Sequence, residues 1–209
     1  MEKAGKTKEM DMLNGGLAGK LIMFAIPLAF SSILQQLFNS ADVAVVGRFA
    51  GDKALAAVGS CVALVGIFVN LNVGLAVGPN AVLATVIGQN KRKRINPMIH
   101  TIITFGIIMG ILLMITGMLL ARIVLEASGT PASVMDEALL YIRIYFLSIP
   151  FMVTYNFGSA ILRSYGDTKR PMYYLMITGV VNIILNLILV IVFSLGVAGV
   201  AIATLIANI

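Results

Sequence analysis

Charge is scarce in this 209-residue chain: Asp, Glu, Lys and Arg together make up 11%, against about a quarter in an average soluble domain. With 59% hydrophobic residues and a mean hydropathy of +0.99, the composition belongs to the membrane class. Cysteine is nearly absent. Cys61 has no second cysteine for an intrachain disulfide, and its apolar surroundings mark it as a small packing residue. His100 is the only histidine, placed at the inner end of an apolar run as an interfacial residue. No HExxH, CxxC, GxSxG or GxxxxGK[ST] pattern occurs, so the enzyme classes that those motifs mark have no support, and no cofactor is implied. Without a nucleotide-binding loop, any active transport by this chain draws on an ion gradient or on another subunit. The net charge of +6 does not indicate a nucleic-acid partner, because the charges cluster in short loops between apolar runs. No cleavable signal peptide is evident. Residues 1–16 are polar and mixed in charge, and they read as a cytoplasmic tail.

What is present is a series of long apolar runs. A helix needs about 20 residues to cross a bilayer core, and five runs satisfy this: 17–47, 54–88, 96–125, 134–165 and 171–195. A sixth begins near Val197 and covers about 12 residues, or ~18 Å of helix, so as given it is truncated short of a full crossing. The expected fold is an all-α, multi-pass membrane bundle of six helices over residues 17–209. Eleven of the fifteen basic residues lie in the tail, at Lys20, in the Lys91-Arg92-Lys93-Arg94 block and in the Arg163/Lys169/Arg170 loop. Basic short loops stay inside, which makes the N-terminus cytoplasmic and the expected location the cell (inner) membrane.

One carboxylate interrupts the first run. Gln35, Asn39 and Asp42 recur at helical spacing on one stripe, and an acid at the bilayer centre costs about 2.5–3.5 kcal/mol even on the lenient insertion scale. Such an acid faces a bundle interior or water and marks an ion or substrate path, so the default reading is a transporter. Asp42 lies five residues before Gly47, which sets it roughly 7–8 Å below the outer helix end. Pro27 in the same run frees a backbone carbonyl, either as a hinge for the Asp42 stripe or as a static kink.

Other polar stripes accompany it. Thr178, Asn182 and Asn186 recur every four residues in the fifth run, either to bond the acid and a cation or as interhelical glue. Thr204 and Asn208 form a third pair in the sixth. In the second run Asn70, Gly74 and Gly78 share a face, where small residues permit close helix packing and Asn70 is a cavity-lining candidate. The twelve methionines supply either an adaptable apolar pocket or plain filling.

Several of these segments together resemble the multidrug and toxic compound extrusion (MATE) transporters. They are Pro27 followed by Gln35-Gln36-Leu37-Phe38-Asn39-Ser40-Ala41-Asp42 and by 51–59; Gly88-Gln89-Asn90 before the basic loop; 163–172; 182–186; and 196–204. The resemblance implies one six-helix lobe of a twelve-helix antiporter that exchanges protons or sodium for small organic cations. It further implies that Asp42, Asn182 and Thr204 take part in binding the coupling ion, with sodium at Asp42 as the one metal to consider. Asn186 stands where many members have Asp, which leaves one carboxylate instead of two. The implied partners are membrane lipid, the substrate, and either a missing C-terminal lobe or a second copy. Two rival readings are a lipid-linked oligosaccharide flippase, which needs basic residues in its cavity, and a non-transporting scaffold or truncated fragment.

Overall fold

The computed structural model describes residues 17–209; the expected tail at 1–16 lies outside them. Six helices follow one another: α1 (Leu17–Phe49), α2 (Asp52–Gly88), α3 (Arg92–Ala127), α4 (Met135–Ser164), α5 (Lys169–Leu187) and α6 (Gly196–Asn208). Among the described residues there is no strand. This is the architecture that bilayers select, since a helix satisfies its own backbone groups where no water is available. Five of the helices are long and apolar enough to cross a membrane, and α6 is shorter. Each begins or ends within a few residues of the boundary expected from hydropathy. The fifth run departs from a plain helix. After Leu187 it widens into a π-helical turn, Ile188–Val192, and it is closed by Ser194 and Gly196, both at positive φ.

The centre of the lobe is α4, which packs against α2, α3 and α6, while α1 packs mainly against α5. The helices α2 and α4 run side by side in the same direction. Cys61 Sγ donates to the Ala138 carbonyl (3.5 Å) near their outer ends. Phe68 meets Phe146 edge-on at 4.8 Å halfway down, and Ser164 Oγ donates to Asn80 Oδ1 (2.8 Å) at the inner end. Cys61 is thus a buried packing residue, as its setting indicates.

Close-approach glycines occur in α3 and, at Gly179, in α5, but not in α2. A Cβ at Gly117 would lie 2.7 Å from the Phe146 ring, one at Gly106 2.9 Å from Phe157, and one at Gly110 2.8 Å from the Pro150 Cα. The α3 glycines therefore form notches that receive α4, the arrangement by which membrane helices gain packing without a solvent-driven hydrophobic term. Gly74 and Gly78 have nothing within 4 Å, which corrects the expectation that their stripe is a packing seam in this lobe. Gly110→Ala is expected to lower stability by about 1–3 kcal/mol, because the obstacle is backbone and cannot rotate away. The check is a melting curve in detergent, in which Gly74→Ala should match the parent.

Candidate functional site

Asp42 is buried (8% exposed) at the junction of α1, α5 and α6. It lies seven residues below Phe49, where α1 ends, or ~10 Å from the outer end. The helix runs two residues beyond the expected boundary, so the acid sits slightly deeper. Three side chains from the later helices close on it. Asn186 Nδ2 donates to Asp42 Oδ1 and to Asn182 Oδ1 (3.2 Å). Asn182 Nδ2 donates to Thr204 Oγ1 (3.2 Å), and Thr204 Oγ1 approaches Asp42 Oδ2 at 3.4 Å. Asn186 and Thr204 lie 144 and 162 positions from Asp42 in sequence, and the fold brings all four residues into one connected network.

Counting donors shows what the network lacks. Both Nδ2 hydrogens of Asn186 are used, while its Oδ1 is fully buried and has no partner among the described residues. Thr204 has one hydroxyl hydrogen and two acceptors for it, Asp42 Oδ2 and the Val200 carbonyl at 3.0 Å. When that hydrogen goes to Val200, Asp42 Oδ2 is left without a donor. A carboxylate oxygen and an orphaned amide oxygen thus lie together in a region that also offers Asn182 Oδ1 and Thr204 Oγ1. Hard monovalent cations take oxygen ligands of this kind, and an unsatisfied buried acceptor is costly without one.

Asp42 also opens onto a cavity of about 620 Å³ between α1 and α2, backed by α4. That volume lies within the usual range for small-molecule sites. Gln35 and Asn39 of the predicted stripe line it, together with Asn70 of α2. Ser32, Gln36 and Ser40 line it as well, and so do Tyr141 and Tyr145, whose rings stack at 6.2 Å. The tyrosines escape the sequence reading above, and their i, i+4 spacing in α4 is the signal that could have found them. The remaining walls are mainly valine, and no methionine lines the cavity. The adaptable methionine pocket is therefore not formed here: Met114 and Met118 pack against the core, and Met23 and Met176 are exposed on the outside. Pro27 is buried within α1 and its carbonyl accepts from Ser31 Oγ (2.7 Å), but it lines no cavity among those described. Thr178 sits a turn below the cluster and lines a separate, smaller cavity. Asn72 of α2, which the sequence reading also misses, is 1% exposed with neither amide atom bonded among the described residues.

A family model described as MatE matches residues 27–188. The chain belongs to the MatE family. Its MatE relatives include two probable multidrug resistance proteins of Bacillus subtilis strain 168. YoeA is 31% identical over 90% of this chain and 41% of its own length, and YpnP is 30% identical over 96% and 45%. A crystal structure of MATE in the bent conformation superposes with a TM-score of 0.90 at 27% identity, covering 97% of this chain and 45% of that one. MATE in the straight conformation superposes at 0.86. The chain spans less than half the length of these relatives. It has the architecture of one lobe of a multi-pass membrane transporter, and a further structure that it matches over 97% of its length, at 27% identity and a TM-score of 0.86, is a multidrug resistance MATE family transporter in an outward-facing conformation.

Proposed function

We propose that this chain is one lobe of a secondary efflux transporter of the cell membrane that exports small organic cations in exchange for protons or sodium, with the coupling ion held at Asp42. The single observation that carries this reading is the charge of the cavity. Of its lining residues only Asp42 is charged, and no Lys or Arg faces it. A cation of either kind, substrate or coupling ion, meets an uncompensated carboxylate there, and occupation by one reduces the need for the other.

Exchange requires that the two ligands favour different packings of the lobe. Asn186 of α5 and Thr204 of α6 hydrogen-bond to Asp42 of α1, with Asn182 linking the two. A neutralised Asp42 lets that contact persist, whereas a free carboxylate draws water or cation between the helices. The related MATE structures are in bent and straight conformations, and Pro27 supplies a position in α1 at which such a change needs no backbone hydrogen bond to break. The rest of the transport path belongs to a second lobe.

Cavity polarity also weighs against the flippase reading, which needs basic groups to hold a pyrophosphate. Arg143, the basic residue deepest in a span, is exposed and does not line the cavity. The full-length protein in detergent is expected to bind a fluorescent quaternary ammonium dye and to show no saturable binding of a polyprenyl pyrophosphate. The opposite preference would transfer this family member to the lipid class. Should neither ligand bind, with light scattering showing a stable folded bundle, the scaffold reading takes its place.

A further inference from the structure

Below the Asp42 cluster lies a second cavity of about 50 Å³, between Gln35 of α1, Met152, Tyr155 and Asn156 of α4, Thr178 of α5 and Asn208 of α6. Helices α4, α5 and α6 place it inward of the Asp42 cluster, whereas on α1 the larger cavity reaches inward past Gln35 to Ser32. In α5, which runs outward, Thr178 precedes Asn182 by one turn. In α6, which runs inward, Asn208 follows Thr204 by one turn. In inward-running α4, Tyr141 and Tyr145 line the outer cavity, and Met152, Tyr155 and Asn156 come later. The positive-inside assignment makes that side cytoplasmic.

Its roof and floor are both defined. Asn208 Nδ2 donates to the backbone carbonyl of Thr204 (2.7 Å), the residue whose hydroxyl reaches Asp42. At the floor, Tyr155 Oη donates to the Pro171 carbonyl (2.7 Å), at the start of α5 beside Lys169 and Arg170. A buried water needs roughly 10–15 Å³ and two to four polar partners. The chamber is therefore large enough for a few waters, and five of its lining side chains carry polar groups. Gln35 lines this chamber and the outer cavity alike, the one residue common to both linings.

We propose that this chamber is a hydrated way-station for the coupling ion: the cytoplasmic half of a path whose outer half is the Asp42 cavity, with Gln35 as the partition. The inference rests on the reading that Asp42 binds that ion. Its ligand is water, together with the proton or sodium that moves through it. Oxygen groups spaced about a turn apart let such an ion leave the carboxylate without entering hydrocarbon.

The test uses the full-length protein in lipid nanodiscs, where pulsed hydroxyl-radical labelling modifies reactive side chains next to bound water. Met152 and Tyr155 are expected to label well above Phe146 and Phe157, which are fully buried. Thr178→Leu, which fills the chamber, should lower labelling of Met152 and Tyr155 by about an order of magnitude by displacing its water. The same variant in proteoliposomes should slow ion-driven efflux several-fold while dye affinity in detergent stays within about twofold, because the outer cavity is intact. Thr178→Ser keeps the hydroxyl and should keep the labelling. Gln35→Ala should raise the substrate-free leak of sodium or of protons, read with ion-selective dyes, and the dye that responds names the ion. Background labelling of Met152 and Tyr155 in the parent overturns the proposal. So does a Thr178→Leu protein that is dry at those residues yet transports normally. Labelling reports water and the Asp42→Asn assay reports coupling, so the two readings fail separately.

Discussion

Asp42→Asn in the full-length protein is expected to reduce ion-driven dye efflux in proteoliposomes to the level of empty vesicles. The substitution is nearly isosteric, and the amide oxygen it introduces can still accept from Asn186 Nδ2, which now donates to Asp42 Oδ1. The network therefore keeps its shape and loses its charge. Removing a buried charge leaves no uncompensated partner here, because no basic group neighbours it in the cavity. The melting temperature in detergent should accordingly stay the same or rise. What disappears is the difference between the neutral and ionised states, and with it the differential stabilisation of two packings. A ligand that meets both states equally shifts nothing. An Asp42→Asn protein that kept full gradient-driven efflux would remove Asp42 from the coupling site.

The second large effect is steric. A Cβ at Gly179 would lie 2.0 Å from the Phe38 ring, one turn below Asp42 on α1 and one turn below Asn182 on α5. Gly179 is buried, so even Gly179→Ala must push Phe38 aside or move α5 off α1. Overpacking of this kind costs about 1–3 kcal/mol, and it should also separate Asp42 from Asn186. The expected outcome is a lower melting temperature together with weakened efflux. Phe38→Ala combined with Gly179→Ala should recover part of both, since contacting residues show interaction energies of about 0.5–3 kcal/mol. Purely additive losses in the double variant would show that Phe38 and Gly179 do not set the α1–α5 approach.

The Asp42 network and the α3–α4 seam show how far hydropathy reaches. The stripe Gln35, Asn39, Asp42 stands out in sequence because a polar group in an apolar run is rare and its helical phase is unambiguous. The same holds for Asn182 and Asn186, and the structure places Asn186 against Asp42 and Asn182 against Asn186. Small-residue spacing points to α2 for the glycine notches, whereas the structure has them in α3 and at Gly179 of α5. In a membrane the lipid-facing and protein-facing sides of a helix are both apolar. Periodicity therefore does not say whether Gly74 or Gly110 meets a neighbour. The valine walls are illegible for that reason, whereas Tyr141 and Tyr145 left a trace in their i, i+4 spacing.

The amino-acid order alone determined the number of helices, their approximate extents, their expected orientation and the presence of one sheltered acid, because span length, loop charge and the penalty for ionised groups in hydrocarbon are local properties of a segment. Tertiary structure decided which amides meet that acid, that the Asn186 oxygen has no partner among the described residues, and that two cavities share one glutamine in their walls. Those depend on the rotation of each helix about its axis, which only contact between side chains distant in sequence can fix.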